Sequence, residues 1–173
     1  MGDRGPIMTE AERKTLVEWA YTMFPHATAL SNKRSEYKLF PSDTKISEII
    51  WKVKRRIVDR EGLRLSRQEP IYKDFLGIVH RGGKIHKHTD PNDEPLYHSR
   101  FNVILQHAGS GDTYYSDKPL RVKEGSYVFC RSGLEQHWSD ENDSDKERLS
   151  LSFGYMLPIT FVNRLYNKFP LTS

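Results

Sequence analysis

The pattern of the sequence changes at Pro70, and this change constrains the fold more than any other feature. After Pro70 the chain consists of short β-branched or aromatic segments separated by Gly, Asp, Asn and Pro, the pattern of strands joined by turns. The segments are "YKDFLGIVHR", "FNVILQ", "GDTYYSD", "PLRVKEGSYVFCR" and "RLSLSFGYML". No helical pattern of useful length follows until residues 161–168. This order predicts an α+β domain that is mainly β, with its strands in a sandwich or barrel.

Two amphipathic helices are predicted before Pro70. Thr9 and Glu12 form a capping box, and the apolar residues after them fall at helical spacing until Pro25, which should end the helix. Gly62 lies where the second helix should stop. The apolar stripe of that second helix consists of Ile46, Ile49, Ile50, Val53 and Ile57. Both helices should therefore bury one face against the rest of the protein.

Length and composition fit a single soluble domain. The 173 residues suffice for one core, and 36% hydrophobic against 29% charged residues predict a folded globule. No apolar run approaches the roughly 20 residues of a membrane span, and the first residues lack a secretory signal. Cys130 is the only cysteine, which excludes an internal disulfide and fits a reducing compartment. We therefore expect a cytoplasmic protein without a membrane partner.

Basic residues are concentrated between Asp43 and Arg67, in a chain whose net charge is +4. Such a stretch can bind nucleic acid or an acidic substrate, or it can be an ordinary solvated surface. The basic residues are Lys45, Lys52, Lys54, Arg55, Arg56, Arg60, Arg64 and Arg67. Acidic residues are mixed among them and no nucleic-acid-binding motif is present, so we favour the solvated surface. Nucleic-acid binding remains the alternative function of this stretch. Nothing in the sequence indicates an oligomeric state.

The stretch "HKHTD" at residues 86–90 contains candidate metal ligands. In an extended strand, His86, His88 and Asp90 project to the same side. One His-x-Asp is weak by itself, because it often occurs by chance. The later stretch "LEQHWSD" supplies His137, which a turn, a strand and a second turn would bring beside His88. Two histidines and one carboxylate hold iron(II) while leaving coordination positions open, so His88, Asp90 and His137 are a candidate set.

Two later strands each carry an arginine on the face opposite their apolar residues. In "RLSLSFGYML" the leucines alternate with a face that begins with Arg148 and Ser150. In "HSRFNVILQ" Arg100 and Asn102 share a face in the same way. An arginine that points inward is costly without an anion, and its guanidinium matches a carboxylate in a bidentate pair. The pattern predicts a cavity near the metal that binds a dicarboxylate able to chelate iron.

The order of these residues, H-x-D, then a distal His, then R-x-S, resembles that of the iron(II)/2-oxoglutarate-dependent dioxygenases. Within that superfamily the stretch from His86 to Pro158 looks most like the aspartyl/asparaginyl β-hydroxylase group, through "HTDPND", "EGSYVF", "EQHW" and "RLSLSFGYMLP". The chain differs from the group at Asp90, where the group tends to carry Gly, and at Asn102, where it tends to carry His. Asp90 restores the triad that is typical of the wider superfamily.

The resemblance implies a fold, an activity and a role for each residue. The fold would be a double-stranded β-helix, a form of jelly roll, in one domain of residues 1–173: a helical part (about 1–69), the jelly-roll core (about 70–158) and a C-terminal extension (159–173). The activity would be hydroxylation of a C–H bond with dioxygen and 2-oxoglutarate, releasing succinate and carbon dioxide. The substrate would be an amino-acid side chain, in a peptide or in a free metabolite. The residues would be His88, Asp90 and His137 for iron(II), Arg148 and Ser150 for the distal carboxylate of 2-oxoglutarate, and Arg100 and Asn102 for its other end or the substrate.

A cupin-like metalloprotein is the main alternative. There His86 and His88 would form the metal-binding pair, completed by Glu94 or His137, in an isomerase, another dioxygenase or a binding module that does not use 2-oxoglutarate. Cupins share the barrel architecture, so the fold alone does not separate the two. The R-x-S pair and the poor spacing from His88 to Glu94 count against a cupin.

The remaining candidates for chemistry receive no role. They are His26, His80, His98, His107 and Cys130. His98 is close enough to Arg100 in the sequence for a contact with the substrate. No base is identified beside Cys130, which argues against a nucleophile.

Overall fold

The computed structural model describes residues 3–40 and 44–168. Within these residues the chain forms three α-helices, a 3-10 helix and eleven strands. The helices are α1 (Glu10–Met23), the 3-10 helix (Phe24–His26), α2 (Lys45–Glu61) and α3 (Ile159–Asn167). The strands are β1 (Thr28–Leu30), β2 (Arg34–Lys38), β3 (Arg67–Gln68), β4 (Phe75–Val79), β5 (Ile85–His88), β6 (Leu96–Gln106), β7 (Thr113–Tyr115), β8 (Lys118–Pro119), β9 (Tyr127–Cys130), β10 (His137–Ser139) and β11 (Arg148–Pro158).

The predicted start of the first helix and the predicted stops of the first two helices are confirmed. The second helix is capped by Thr44 and not by Ser42 or Asp43, the caps that the sequence suggested, which lie outside the described residues. The Thr9 hydroxyl accepts from the backbone N–H of Glu12 at 3.1 Å, and the Glu12 carboxylate accepts from the N–H of Thr9 at 2.8 Å, which completes the capping box. Helix α1 ends at Met23, just before Pro25, and α2 ends at Gly62, whose φ of 73° is in the left-handed region that favours glycine. Among the described helices, none combines the length and the apolar character needed to cross a membrane.

Within the described residues the strands form two antiparallel sheets, which confirms the α+β, mainly β prediction. The large sheet has the order β1-β2-β4-β11-β6-β9, and β3 pairs with the end of β11. The small sheet has the order β5-β10-β7-β8. The long strands β6 and β11 lie side by side in the middle of the large sheet, and their alternating residues determine what each face of that sheet presents.

The main core lies between one face of the large sheet and the helices. Leu149, Leu151 and Phe153 of β11 are fully buried there together with Leu16 of α1 and Ile57 of α2. The intervening residues of β11 face the other way, toward the small sheet. The predicted division of this strand into an apolar and a polar face is confirmed, and β11 therefore contributes polar side chains to the space between the two sheets.

The prediction that strands begin only after Pro70 is wrong. Strands β1 and β2 lie between the first two helices, and β2 pairs with β4 along its whole length. The sequence of β2, "RSEYK", carries three charged residues, and only Tyr37 among its five residues packs against the core. A strand with a charged face on one side and one large apolar residue on the other lacks the hydrophobic alternation by which strands are recognised.

Candidate active site

The small sheet brings the three predicted metal ligands together. His88, at the end of β5, pairs directly with His137, at the start of β10. Asp90 follows β5, and its backbone N–H donates to the carbonyl oxygen of Ser132 at 2.8 Å. The Asp90 carboxylate oxygens lie 3.6 Å from His88 Nε2 and 4.0 Å from His137 Nε2. Ligand atoms of the three residues all lie within 4.8 Å of one another, so the three can bind one metal ion.

Hydrogen bonds to the backbone orient both imidazole rings. Nδ1 of His88 lies 2.6 Å from the carbonyl oxygen of His86, and Nδ1 of His137 lies 3.2 Å from that of Glu135. Because a carbonyl oxygen only accepts, each Nδ1 carries the proton and each Nε2 keeps its lone pair for a metal. Burial lowers the pKa of His137, which favours the neutral ring that a metal requires. Two imidazole nitrogens and one carboxylate fit iron(II).

A cavity of about 600 Å³ includes the three metal ligands in its wall. Its volume falls within the roughly 300–1,000 Å³ of typical ligand-binding sites. The large sheet contributes Arg100, Asn102, Arg148 and Ser150 to the same wall. All seven predicted site residues therefore line one cavity, but their hydrogen bonds differ.

The guanidinium of Arg148 is bound along one edge only. Nη2 donates to the carbonyl oxygens of Gly111 and, at 3.5 Å, of Ser110. Nη1 is buried and has no hydrogen-bond partner among the described residues. Burial lowers the pKa of Arg148, and Asp112 acts in the opposite direction. Arg148 lines the cavity, and a buried guanidinium N–H without a partner favours an anionic ligand near it.

The guanidinium of Arg100, in contrast, already has an anion. Its Nη2 lies 2.8 Å from a carboxylate oxygen of Glu69, and its Nη1 donates to the carbonyl oxygen of Lys73 at 3.0 Å and to Ser152 at 3.2 Å. Glu69 is 1% exposed and also accepts backbone N–H bonds from Tyr72 and Lys73. Sequence reasoning missed Glu69, since its position beside Arg100 depends on the turn that follows it.

Asn102 links the wall to a metal ligand. Its Nδ2 donates to the Tyr115 hydroxyl at 2.9 Å and to the Cys130 sulfur at 3.3 Å, and its Oδ1 accepts from Ser152 at 2.6 Å. The Tyr115 ring stacks on His137 with a centroid distance of 5.5 Å. Burial raises the pKa of Cys130 to about 12, so the thiol stays protonated and is a poor nucleophile.

His98 lies behind the metal site, where the sequence suggested no role. The side chain is fully buried, with Nε2 at 3.8 Å from Asp90 Oδ2 and 4.0 Å from Glu69 Oε2. Its ring stacks on Tyr72 with a centroid distance of 5.8 Å. Burial lowers the pKa of His98, and the positive charge of Arg100 acts in the same direction. The sequence could have indicated this position, because His98 is two residues from Arg100 on β6 and therefore projects from the same face of the sheet.

The basic stretch on α2 is largely occupied by contacts within the protein. Lys54 is buried in an ion pair with Asp74, and Arg56 forms two hydrogen bonds to Glu12. Arg60 donates to backbone carbonyl oxygens of the N-terminal segment. These contacts leave fewer charges for a partner than the sequence suggested, which favours the solvated surface over a nucleic-acid interface.

Solved structures with a similar fold were found, although no protein-family model and no curated protein matched the sequence. The viral collagen prolyl hydroxylase of Paramecium bursaria Chlorella virus-1, in its 2-oxoglutarate complex, is 13% identical, with 91% of this chain and 95% of that chain covered and a TM-score of 0.65. HygX from Streptomyces hygroscopicus, with nickel and 2-oxoglutarate bound, is 9% identical, with 91% and 82% covered and a TM-score of 0.68.

A third similar structure is the prolyl hydroxylase of Trichoplax adhaerens in complex with a peptide fragment of hypoxia inducible factor. It is 8% identical, with 95% of this chain and 86% of that chain covered and a TM-score of 0.66. At such identities a structural likeness shows the fold alone. The chain therefore shares its fold with these three enzymes.

Proposed function

We propose that the protein is an iron(II)- and 2-oxoglutarate-dependent oxygenase that hydroxylates a C–H bond of an amino-acid side chain. One observation carries the proposal: a His-Asp-His set and a guanidinium with an unpartnered buried N–H line the same cavity. The similar structures that hold 2-oxoglutarate support the choice of cosubstrate. When bound, iron(II) and 2-oxoglutarate would supply the oxidising chemistry, with dioxygen consumed and succinate and carbon dioxide released.

In this proposal one end of the cavity binds the metal and the other end binds the cosubstrate. His88, Asp90 and His137 hold the metal with Nε2 and carboxylate ligands. Arg148 holds the distal carboxylate of 2-oxoglutarate through its free edge, with Ser150 on the same face of β11. Because Glu69 neutralises the Arg100 guanidinium, Arg100 forms part of the wall rather than binding the cosubstrate directly. Asn102 is bonded to Tyr115 and, through the Tyr115 ring, orients His137.

The proposal extends to the fold family and the substrate. The two antiparallel sheets around one cavity support a jelly-roll core that, with the helices, forms a single oxygenase domain over residues 1–173. Two of the similar structures are prolyl hydroxylases, and the motifs "HTDPND" and "EQHW" resemble the aspartyl/asparaginyl β-hydroxylase group. Both likenesses favour an amino-acid side chain as the hydroxylated group.

The test is an anaerobic titration of the iron(II)-loaded protein with 2-oxoglutarate, followed by the visible charge-transfer band of the chelate. We expect a saturable band, and Arg148→Gln should raise the half-saturating concentration roughly 10- to 100-fold, the value of a lost charged hydrogen bond. Arg55→Gln, exposed on α2, is the matched control and should leave the titration unchanged. Absence of the band in the parent protein, with metal still bound, would refute the proposal and leave a cupin-like metal site.

A further inference from the structure

Arg34 is a second guanidinium in the cavity wall that is left without an anion. Among the other arginines there, Arg121 forms a two-bond pair with Asp112, and Arg100 pairs with Glu69. Nε of Arg34 is buried and has no hydrogen-bond partner among the described residues. Arg34 is half-buried and forms no ion pair with a carboxylate of the described residues, so with Arg148 assigned to the cosubstrate an anionic ligand would satisfy its buried N–H.

The register of the large sheet shows why Arg34 faces the cavity. Arg34 and Arg148 are both direct partners of Val79 on β4, one from each side. Side chains at directly paired positions lie on the same face of a sheet. On β2 the alternate residue Tyr37 points to the opposite face and packs on Trp19 of α1. The charged face of β2 is therefore a wall of the cavity beside the cosubstrate position.

Glu36 places a negative charge next to Arg34 on this wall. The two residues are two apart on β2, so their Cα atoms lie about 6.6 Å apart on the same face. They do not pair with each other; the Glu36 carboxylate instead lies 3.2 Å from Lys38 Nζ, which also donates to the carbonyl oxygen of Tyr72 at 2.6 Å. Glu36 thus keeps one oxygen for another donor, and the wall presents separate positive and negative groups.

Gly77 keeps the space between this charged wall and the cosubstrate position open. It is the direct partner of Glu36 on one side and of Ser150 on the other. A Cβ atom at Gly77 would lie 3.3 Å from the Ser150 hydroxyl, so any larger residue would press on that side chain. On β5, His86 and His88 line the same cavity. A small molecule over Gly77 would contact β2 within the cavity that the candidate metal ligands also line.

We propose, on the basis of the proposed function, that the substrate is a free α-amino acid, with its carboxylate on Arg34 and its ammonium group on Glu36. A zwitterion satisfies both charges at once. A residue inside a peptide carries neither charge on its backbone, and would leave Arg34 without an anion. The wall formed by Arg34 and Glu36 therefore selects free amino acids against internal residues of a polypeptide.

The experiment uses saturation-transfer NMR on the protein loaded with zinc(II) and 2-oxoglutarate. A mixture of the twenty common free L-amino acids is compared with the same amino acids blocked as N-acetyl amides. For each free amino acid that shows transfer, the dissociation constant is measured for the parent, Arg34→Gln, Glu36→Gln and the control Arg55→Gln. We expect transfer to at least one free amino acid, and a loss of affinity of about tenfold or more in both wall variants, with no change in the control.

Derivatives with one blocked group test the orientation. Glu36→Gln should not weaken the N-acetyl derivative further, and Arg34→Gln should not weaken the α-amide further, since each derivative already lacks the matching charge. No transfer to any free amino acid, equal binding of the blocked compounds, or full affinity in Arg34→Gln would overturn the inference. Absence of the iron(II)–2-oxoglutarate band would instead overturn the proposed function, so the two failures are distinguishable.

Discussion

Arg100 and Arg148 project from neighbouring strands into the same cavity, yet their surroundings are opposite. Arg100 is enclosed by Glu69, Ser152 and the carbonyl oxygen of Lys73. Arg148 is held by two loop carbonyl oxygens, and its Nη1 has no partner within the described part of the chain. The sequence indicated the same purpose for both, because alternation along a strand gives the direction of a side chain and not its partner. The difference shows that Arg100 is part of an internally paired network, whereas Arg148 retains hydrogen-bonding capacity for a ligand.

The register of the sheet separates these two environments. Ser152, in the network of Arg100, and Arg148 are four residues apart on β11, which corresponds to about 13 Å along an extended strand. Contacts of Asn102 and Tyr115 connect Ser152 to His137, a candidate metal ligand. Substitutions at the two ends should therefore affect different quantities: fold stability or metal binding at one, ligand affinity at the other.

The largest effect is expected from Glu69→Gln, which leaves the buried Arg100 without its carboxylate. Loss of one partner of a buried ion pair costs about 3–5 kcal/mol of unfolding free energy, or roughly 6–20 °C in melting temperature for a chain of this size. Circular dichroism of the metal-free protein measures it. Arg148→Gln is the matched comparison and should change the melting temperature by no more than about 3 °C. A larger loss from Arg148→Gln than from Glu69→Gln would contradict the division into scaffold and ligand site.

At the metal end, His88→Ala should reduce metal affinity by more than about 100-fold, beyond the 10- to 100-fold effect of residues that only support a ligand. His86→Ala should change it little, because His86 contacts the site through its backbone carbonyl. Competition with a chelator measures both affinities. If His86→Ala loses as much as His88→Ala, the cupin-like ligand set is the better account.

A smaller effect is expected from His98→Leu, which keeps the volume of the side chain but removes the ring beside Asp90. The ring lies 3.8 Å from Asp90 Oδ2 and restricts where that carboxylate points. We expect a loss of metal affinity of about tenfold, with the charge-transfer band retained at saturating metal. Unchanged metal affinity would mean that His98 only fills space in the scaffold.

The smallest effect comes from a charge pair far from the cavity. The hydrogen bonds of Arg56 lower the pKa of Glu12 to about 2, so the stabilising pair is fully present above the ordinary pKa near 4.5 and is lost as pH falls toward 2. Glu12→Gln should lower the melting temperature by roughly 1–4 °C at pH 7. Thermal unfolding at several pH values should show the gap closing below pH 4.5. A gap that stays as large at pH 2 as at pH 7 would show that the effect does not depend on the charge.

Most of the fold could be predicted because its signals are local. The capping box at Thr9, the stop at Gly62 and the alternation in β11 each depend on neighbouring residues, and each is confirmed. Strands β1, β2 and β3 were missed because their sequences, TAL, RSEYK and RQ, are too short or too charged to show a hydrophobic alternation. Their stability comes from pairing with longer strands, which a propensity-based reading does not include.

The residues of the candidate site also fall into two groups, those that local sequence could predict and those that it could not. His88, Asp90 and His137 could be predicted because the order of types along the chain is itself a signal for a metal. Glu69 and Tyr115 could not, since a turn and a strand pairing bring them to Arg100 and His137 from distant parts of the sequence. Residues that bind ligands carry recognisable motifs, whereas the residues that neutralise and orient them are determined by tertiary contacts.

The ligands His88 and His137 lie on two short strands of the small sheet, which lacks a long central strand like those of the large sheet. An ion bound by both histidines would cross-link segments that are distant in sequence. This would lower the entropy of the opened state and so stabilise the small sheet. Metal loading would then do more than supply chemistry. It would raise the free energy that is needed to open the small sheet locally.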